Sequence, residues 1–320
     1  MKQSTRRPLA RPRGDVVRRV IAREWGLDAG LLDKTYLGIN SFTWVLTDGA
    51  DRFVVKWAFP LGEDRDRFPA GLEIAENLDG HGVRTGPPRR TLHGDLAIRF
   101  RGGWLAVLRF ETGHPLDMEN GSDAEMWGRA VATCHVRLAA SSGPTPLDRW
   151  PWSLLRVEDD LHDRFPWLRA TISPFVRRAD EWVGAHGPTM QWLHGDPNPQ
   201  EFLHDHLAQT VAVLDWGSCL WGPRGYDLGC AMFFAGGPTW RFQSFMAGYA
   251  ELIPLHGHET AAIPMFCGLR WAMQALHFAR RIHHRIALGG DARRQTRRWY
   301  DGYNEYGLRV ARRTLEAFSA

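Results

Sequence analysis

Lysine is almost missing from this chain. Of its forty basic residues only Lys2, Lys34 and Lys56 are lysines, so a lysine set inside an apolar segment stands out. Cysteine is sparse as well. Cys134, Cys219, Cys230 and Cys267 show no paired spacing, which argues against a disulfide framework and fits a reducing, cytoplasmic setting. No apolar run approaches the roughly 18 residues of a spanning helix, so no membrane partner is expected. The basic arm from Met1 to Gly14 carries no apolar stretch behind it, so no secretory signal is expected, and a flexible tail is expected over 1–14. No internal repeat or low-complexity segment appears.

What is present is ordinary for a globular chain: 320 residues, 44% hydrophobic and 24% charged, enough for one large or two smaller domains. The net charge of +4 is unevenly placed. Residues 265–320 hold eleven arginines against four acids, so the remainder is slightly acidic. Those arginines are mixed with tryptophans as in a packed helix, and no nucleic-acid partner is expected from them.

Asp15 can cap a helix through Glu24, with Val16, Val17, Val20 and Ile21 on one face and Gly26 at its end. From Lys34 the period changes to two. Phe42, Trp44 and Leu46 alternate with small or polar residues, Asp48-Gly49 marks a hairpin turn, and Phe53 to Trp57 returns. Lys56 lies inside that returning strand, where a lysine either snorkels to solvent or meets a partner charge. Arg67 to His81 has helical spacing and carries Glu73 and Glu76, and an inward glutamate there would pair with Lys56. A second hairpin runs from Leu96 through Gly102-Gly103 to Phe110. Between strands, His93-Gly94-Asp95 reads as a turn. Beyond Glu111-Thr112-Gly113 the pattern becomes helical: about 124–140, 152–164, 174–185, 225–234, 239–252, 260–287 and 292–318. The expectation is α+β and bilobal, with an antiparallel-sheet lobe over 15–110 and a helical lobe over 111–320.

Two acids command the second lobe. Asp196 lies in Gln191-Trp192-Leu193-His194-Gly195-Asp196-Pro197-Asn198-Pro199-Gln200-Glu201-Phe202, where two prolines forbid helix continuation. Asp215 follows the apolar run Val211 to Leu214, nineteen positions later. Phosphoryl transfer needs two such acids, one to accept a hydroxyl proton and one to hold the metal that neutralises phosphates.

This order of segments resembles the aminoglycoside phosphotransferase and choline kinase-like family, which has the protein kinase-like fold, over about residues 34 to 300. The resemblance implies a phosphotransferase acting on a hydroxyl of a small molecule, with ATP or GTP and Mg²⁺ as cofactors. It implies Lys56 on the nucleotide phosphates with Glu73 paired to it, and Ser41 and Phe42 in the loop 37–42 above the nucleotide. Leu108 and Phe110 fall in the hinge that reads the base. Asp196 becomes the catalytic base, Asp215 a metal ligand, and His194 and Asp227, the latter in Gly222-Pro223-Arg224-Gly225-Tyr226-Asp227-Leu228, support the loop. One position departs: Glu201 stands where the family usually has a metal-binding asparagine. A carboxylate oxygen still suits a hard cation, so Glu201 is expected as the second ligand. Its alternative is a weak or inactive nucleotide-binding pseudokinase.

For the acceptor, two segments compete. Glu158 and Asp159, with Asp160 and Asp163, could make an acidic pocket for a polycation. Arg270, Trp271 and His277 on a later helix suit an acceptor of mixed polarity, such as an antibiotic or other secondary metabolite. A metallohydrolase built from His194, His204, Asp205, His206 and His283-His284 is a weaker rival, because no helical His-x-x-x-His pair lies beside the acids.

Overall fold

The computed structural model describes residues 12–28, 31–37, 41–58, 67–141, 149–284 and 297–319. Most of the basic arm, loop positions 38–40 and Arg285 lie outside them. The first lobe is organised by strand alternation. β1 (Leu31–Leu37), β2 (Ser41–Asp48) and β3 (Asp51–Ala58) run antiparallel, and β6 (Gly103–Arg109) pairs with β3. β4 (Pro88–Arg89) and the short β5 (Ile98–Phe100) both pair with β6.

The β2–β3 register sets Phe42 opposite Trp57, Trp44 opposite Val55 and Leu46 opposite Phe53, so all six share one face. Helix α1 (Gly14–Trp25) covers that face with Val17, Ile21 and Trp25, all buried. Each such side chain stabilises the lobe by about 1.5–3 kcal/mol. Gly26 closes the helix in the left-handed region at φ 66°. The N-cap is Arg13; Asp15 sits in the first turn, pairing with Arg13 and Arg19. The opposite face of the sheet carries Lys56, flanked by Thr43 and Ala106 on the neighbouring strands. The tight turn of the second hairpin falls one residue earlier than the glycine pair suggested, at Arg101 and Gly102 with φ 46° and 78°. His93-Gly94-Asp95 is a turn, with φ 91° at Gly94.

Helix α2 (Arg67–Gly80) lies on this second face. Its apolar face is the one that helical spacing gives, with Ile74 buried as well, but the glutamate expected to face inward does not. Gly71, Leu72, Ala75 and Leu78 turn inward, and Glu73 is exposed. A Cβ on Gly71 would stand 2.2 Å from the Trp216 carbonyl oxygen, so only glycine lets the helix approach that backbone.

Between the lobes the buried Glu111 accepts from Arg84 Nε (2.9 Å) and Arg109 Nε (2.8 Å). This pins the connecting segment before β7 (His114–Pro115) joins β9 (Phe202–Asp205) and β10 (Thr210–Val213) in a three-stranded sheet. The helical lobe contains α3 (Gly121–Leu138), α4 (Asp159–Arg164), α5 (Trp167–His186), α6 (Gly225–Phe234), α7 (Trp240–Ala250), α8 (Gly257–His283) and α9 (Arg297–Ser319). A two-stranded ribbon of β8 (Met190–Leu193) and β11 (Leu220–Pro223) brackets the acid-bearing loops.

The expected continuous helix over 152–164 does not form. Arg280 donates to the carbonyls of Leu154 (3.0 Å) and Arg156 (2.8 Å), which a helix would have used internally, and the backbone at Arg156 is extended. α5 begins at Trp167, earlier than expected, and tolerates Pro174 in its interior. No helix among the described residues is long and apolar enough to cross a membrane.

Candidate active site

The site lies where β3 and α2 of the first lobe face two loops of the second. Lys56 rises from the cleft face of β3 because the strand's alternation gives Val55 and Trp57 to the core. Its Nζ lies 2.6 Å from Asp215 Oδ1, across 159 residues of sequence. Enclosure by protein opposes ionisation of Asp215, but the Lys56 ammonium overrides it and holds the carboxyl below its usual range. Asp215 sits at φ 59°, ψ 61°, a left-handed backbone that a non-glycine residue rarely adopts. That kink turns the chain from β10 into the short 3₁₀ turn Trp216–Ser218, against which α2 packs through Gly71. Lys56, Asp215, Gly217, Leu108 and Gly86 line one continuous cavity under the sheet.

The second loop follows β8. Gly195 has φ 81°, and a Cβ there would meet the Ser218 carbonyl oxygen at 2.1 Å, so glycine is required where the two acid-bearing loops touch. His194 joins the same loops: Nε2–H donates to the Leu214 carbonyl (2.9 Å), and Nδ1 faces the Asp196 N–H at 3.4 Å. Asp227 anchors the loop from below. Its Oδ2 accepts the His194 N–H (2.9 Å) and the His135 ring (3.0 Å), and its Oδ1 accepts the Gly195 N–H (2.9 Å), all fully buried. Tyr249 holds the other nitrogen of His135 at 2.8 Å.

Asp196 is presented at the mouth, its side chain 39% exposed, with Oδ1 taken by Arg270 at 2.8 Å. Glu201 ends the 3₁₀ turn Pro199–Glu201 and is partly buried. Burial pushes its carboxyl up to about 7, helped by Asp215 and Asp196 and opposed by Lys56. The carboxyl thus lies within electrostatic reach of both acids. Among the described residues no group of three or more His, Cys, Asp or Glu is arranged to hold a metal unaided. Oxygen ligands from Asp215 and Glu201 nevertheless fit Mg²⁺, which typically takes one or two carboxylates and completes its shell with substrate phosphates and water.

Several sequence expectations look different in place. Lys56 pairs with Asp215, and no ion pair joins it to Glu73, because the phase of α2 is set by Gly71 and Leu72. The half-buried Glu76 is held by Arg90 at 2.9 Å. Phe42 stacks on Trp57 (5.6 Å, 8° between planes) in the core between the sheet and α1, so its ring faces away from the cleft, and Ser41 is buried beside Ala58. Leu108 lines the cavity, whereas Phe110 stacks under the Arg52 guanidinium at 3.8 Å. The acidic pocket dissolves into ion pairs. Glu158 holds Arg280 (2.7 Å), Asp159 holds Arg169 (2.7 Å) and Asp160 holds His283 (3.1 Å). His277 is pushed down to about 3 by burial and by Arg281, Arg270 and Arg280, and is therefore neutral. His204 and His206 lie 4.1 Å apart beside His114, away from the acids' shared loop contact.

Sequence reading missed His135 and Tyr249. The signal was present: His135 falls on the face of α3 marked by Val131, Cys134 and Leu138, and a polar ring on such a face needs a partner.

A two-lobed fold with a strand lysine meeting an aspartate across the cleft, and a second aspartate on a glycine-pinned loop beside it, defines a kinase-like phosphotransferase. The model of the phosphotransferase enzyme family (APH) matches residues 37–254, and the chain belongs to that family. No curated protein matches it closely enough to count. Solved structures share the fold. A microcompartment-associated aminopropanol kinase is 17% identical, with TM-score 0.70, 95% of this chain and 98% of that one covered. An amicoumacin kinase solved with AMP-PNP, Ca²⁺ and Ami is 14% identical, with TM-score 0.71 and coverages of 95% and 93%. A choline kinase from Streptococcus pneumoniae is 13% identical, with TM-score 0.66 and coverages of 95% and 98%.

The site carries its own pH signature. Folded, Glu201 keeps its proton to about pH 7; unfolded, it loses it near 4.5. Between those values the native chain binds more protons than the unfolded one, so stability falls as pH rises. At 1.36 kcal/mol per unit the loss is about 3 kcal/mol. Melting curves from pH 5 to 8 without divalent cation should show wild type dropping several degrees relative to Glu201→Gln. Added Mg²⁺ should recover the difference above pH 7.

Proposed function

We propose that this chain transfers the γ-phosphoryl group of ATP or GTP, with Mg²⁺, to a hydroxyl of a small molecule, an antibiotic or other secondary metabolite. The observation that carries the reading is the 2.6 Å contact of Lys56 with Asp215 beside the loop of Asp196. Lys56 stands where it can bind the α- and β-phosphates of a nucleotide lying under the sheet. Asp215 and Glu201 would hold the cation, which when bound supplies neutralisation of the charge on the phosphates.

Asp196 does the proton work. Arg270 occupies Oδ1 and fixes the carboxylate's orientation, leaving Oδ2 for an incoming hydroxyl. The hydroxyl oxygen forms a bond to the γ-phosphorus, the bond from that phosphorus to the bridging oxygen of the nucleoside diphosphate breaks, and the hydroxyl proton passes to Asp196. His194, Gly195 and Asp227 keep that carboxylate in register, so most of the acceleration comes from positioning and charge compensation.

A nucleotide-consumption screen over hydroxylated antibiotics and metabolites tests the reading. Lys56→Met should weaken nucleotide binding and lower kcat/KM by about a hundredfold, the order of losing one preorganised charge partner. Nucleotide bound with no acceptor-dependent consumption above Lys56→Met would instead indicate a pseudokinase.

A further inference from the structure

Two polar groups next to the loop of Asp196 are enclosed without a partner. Arg270, on α8, gives Nη2 to Asp196 (2.8 Å) and Nη1 to Gln274 (2.6 Å). Its third nitrogen, Nε, is buried and finds no acceptor among the described residues. Tyr226 lies completely buried in the first turn of α6. Its hydroxyl likewise has no nitrogen or oxygen partner among the described residues. One group is an N–H without an acceptor, and the other is an oxygen able to accept.

Both belong to one cluster at the root of that loop. Tyr226 and Cys230 stand four residues apart on α6 and share a face. The Cys230 thiol donates to the Gly195 carbonyl at 3.8 Å, one residue before Asp196, and neighbours the Tyr226 hydroxyl. Burial raises that hydroxyl well above its usual range, Cys230 adds to the rise and the Arg270 charge opposes it, so hydroxyl and guanidinium lie within electrostatic reach. Phe233 at 4.7 Å and Phe234 at 5.7 Å close over the guanidinium, and the Trp152 ring meets the phenol ring edge-on at 4.5 Å. A buried hydroxyl without a partner costs stability, and phenylalanine would fill the same space without that cost. Trp152 and the apolar core around it therefore do not account for the oxygen. An enclosed cation does, because a dipole turned toward it is favourable where water is excluded.

We propose that Tyr226 is a positioning residue: its hydroxyl oxygen faces the enclosed side of the Arg270 guanidinium and keeps that guanidinium on Asp196 Oδ1, so that the other carboxylate oxygen stays turned to the acceptor. The consequence for turnover rests on the phosphotransferase reading; the contact between Tyr226 and Arg270 does not.

Tyr226→Phe in the full chain is the test. Its melting midpoint should equal or exceed that of wild type, because the lost hydroxyl leaves no oxygen or nitrogen partner behind. With a turned-over acceptor, kcat should fall about tenfold, the scale of a small misplacement of reacting groups, while KM for the nucleotide stays within about twofold. Arg270→Gln should lower kcat as well. Adding Tyr226→Phe to it should change kcat by less than about twofold, because the hydroxyl acts only through the arginine. A readout free of turnover is the Arg270 Nε–H signal in arginine-selective NMR, assigned by its loss in Arg270→Gln. In Tyr226→Phe that proton should exchange with water at least about tenfold faster. A lower melting midpoint, or a variant that does not fold, would make the hydroxyl a structural group and overturn the proposal. Wild-type kcat in Tyr226→Phe, or effects that multiply in the double variant, would do the same. Should wild type turn over no acceptor, the phosphotransferase reading fails and the exchange rate decides alone: faster exchange in the variant upholds the contact, and an unchanged rate overturns it.

Discussion

Asp196→Asn should reduce acceptor-dependent nucleotide consumption by about 10²–10⁴-fold, the range for removing a positioned general base, while nucleotide affinity stays within about twofold. The asymmetry follows from geometry. Asp196 has Oδ1 on Arg270, apart from the Lys56–Asp215 pair, and in the proposed arrangement the first serves the acceptor and the second the nucleotide. Asparagine preserves size and can still accept from Arg270 through its amide oxygen, so folding should be little changed. What it lacks is the capacity to take the hydroxyl proton. Steady-state ADP release with a turned-over acceptor measures the first quantity and calorimetric titration of ADP the second. A variant that consumed nucleotide as fast as wild type would remove Asp196 from the chemistry.

The largest effect on stability is expected at Asp227→Ala, a loss of about 3–5 kcal/mol, the cost of stripping one member from a buried, charged hydrogen-bond network. Asp227 is completely buried and accepts from two backbone N–H groups and the His135 ring. Its removal leaves those donors without partners in a water-free setting. The midpoint should fall by roughly 10 °C, scaling from 2–4 °C per kcal/mol in a large domain. Because the donors belong to His194 and Gly195, activity should fall with stability and should not return on cooling to temperatures where the variant is folded. Thermal unfolding followed by far-UV circular dichroism, with activity at low temperature, separates the two losses.

These two aspartates also show what the sequence could and could not convey. The ordering of an apolar strand with one lysine, a break near Glu111, and two acids after apolar runs was readable, because strand period and proline-broken loops are local properties. The lysine's partner was not. The resemblance set Glu73 against Lys56, but α2 is rotated so that Gly71 meets the backbone of Trp216, where a side chain would not fit. Nothing near Glu73 encodes that contact, 145 residues distant. The acidic run at 158–160 likewise looked free, yet Arg280 and His283 from α8 fold back onto it. Arg270 could be singled out as a candidate for the acceptor, but its grip on Asp196, 74 positions away, needed the coordinates. Local periodicity fixes which residues can share a face; long-range ion pairs decide which of several charges meet.

The most direct test of the account is whether nucleotide binding depends on a divalent cation through Asp215. Isothermal titration of ATP should show affinity rising at least tenfold when Mg²⁺ is added to wild type, and little change when it is added to Asp215→Asn. Equal affinity in both proteins, with and without Mg²⁺, would contradict the placement of the phosphates between Lys56 and Asp215.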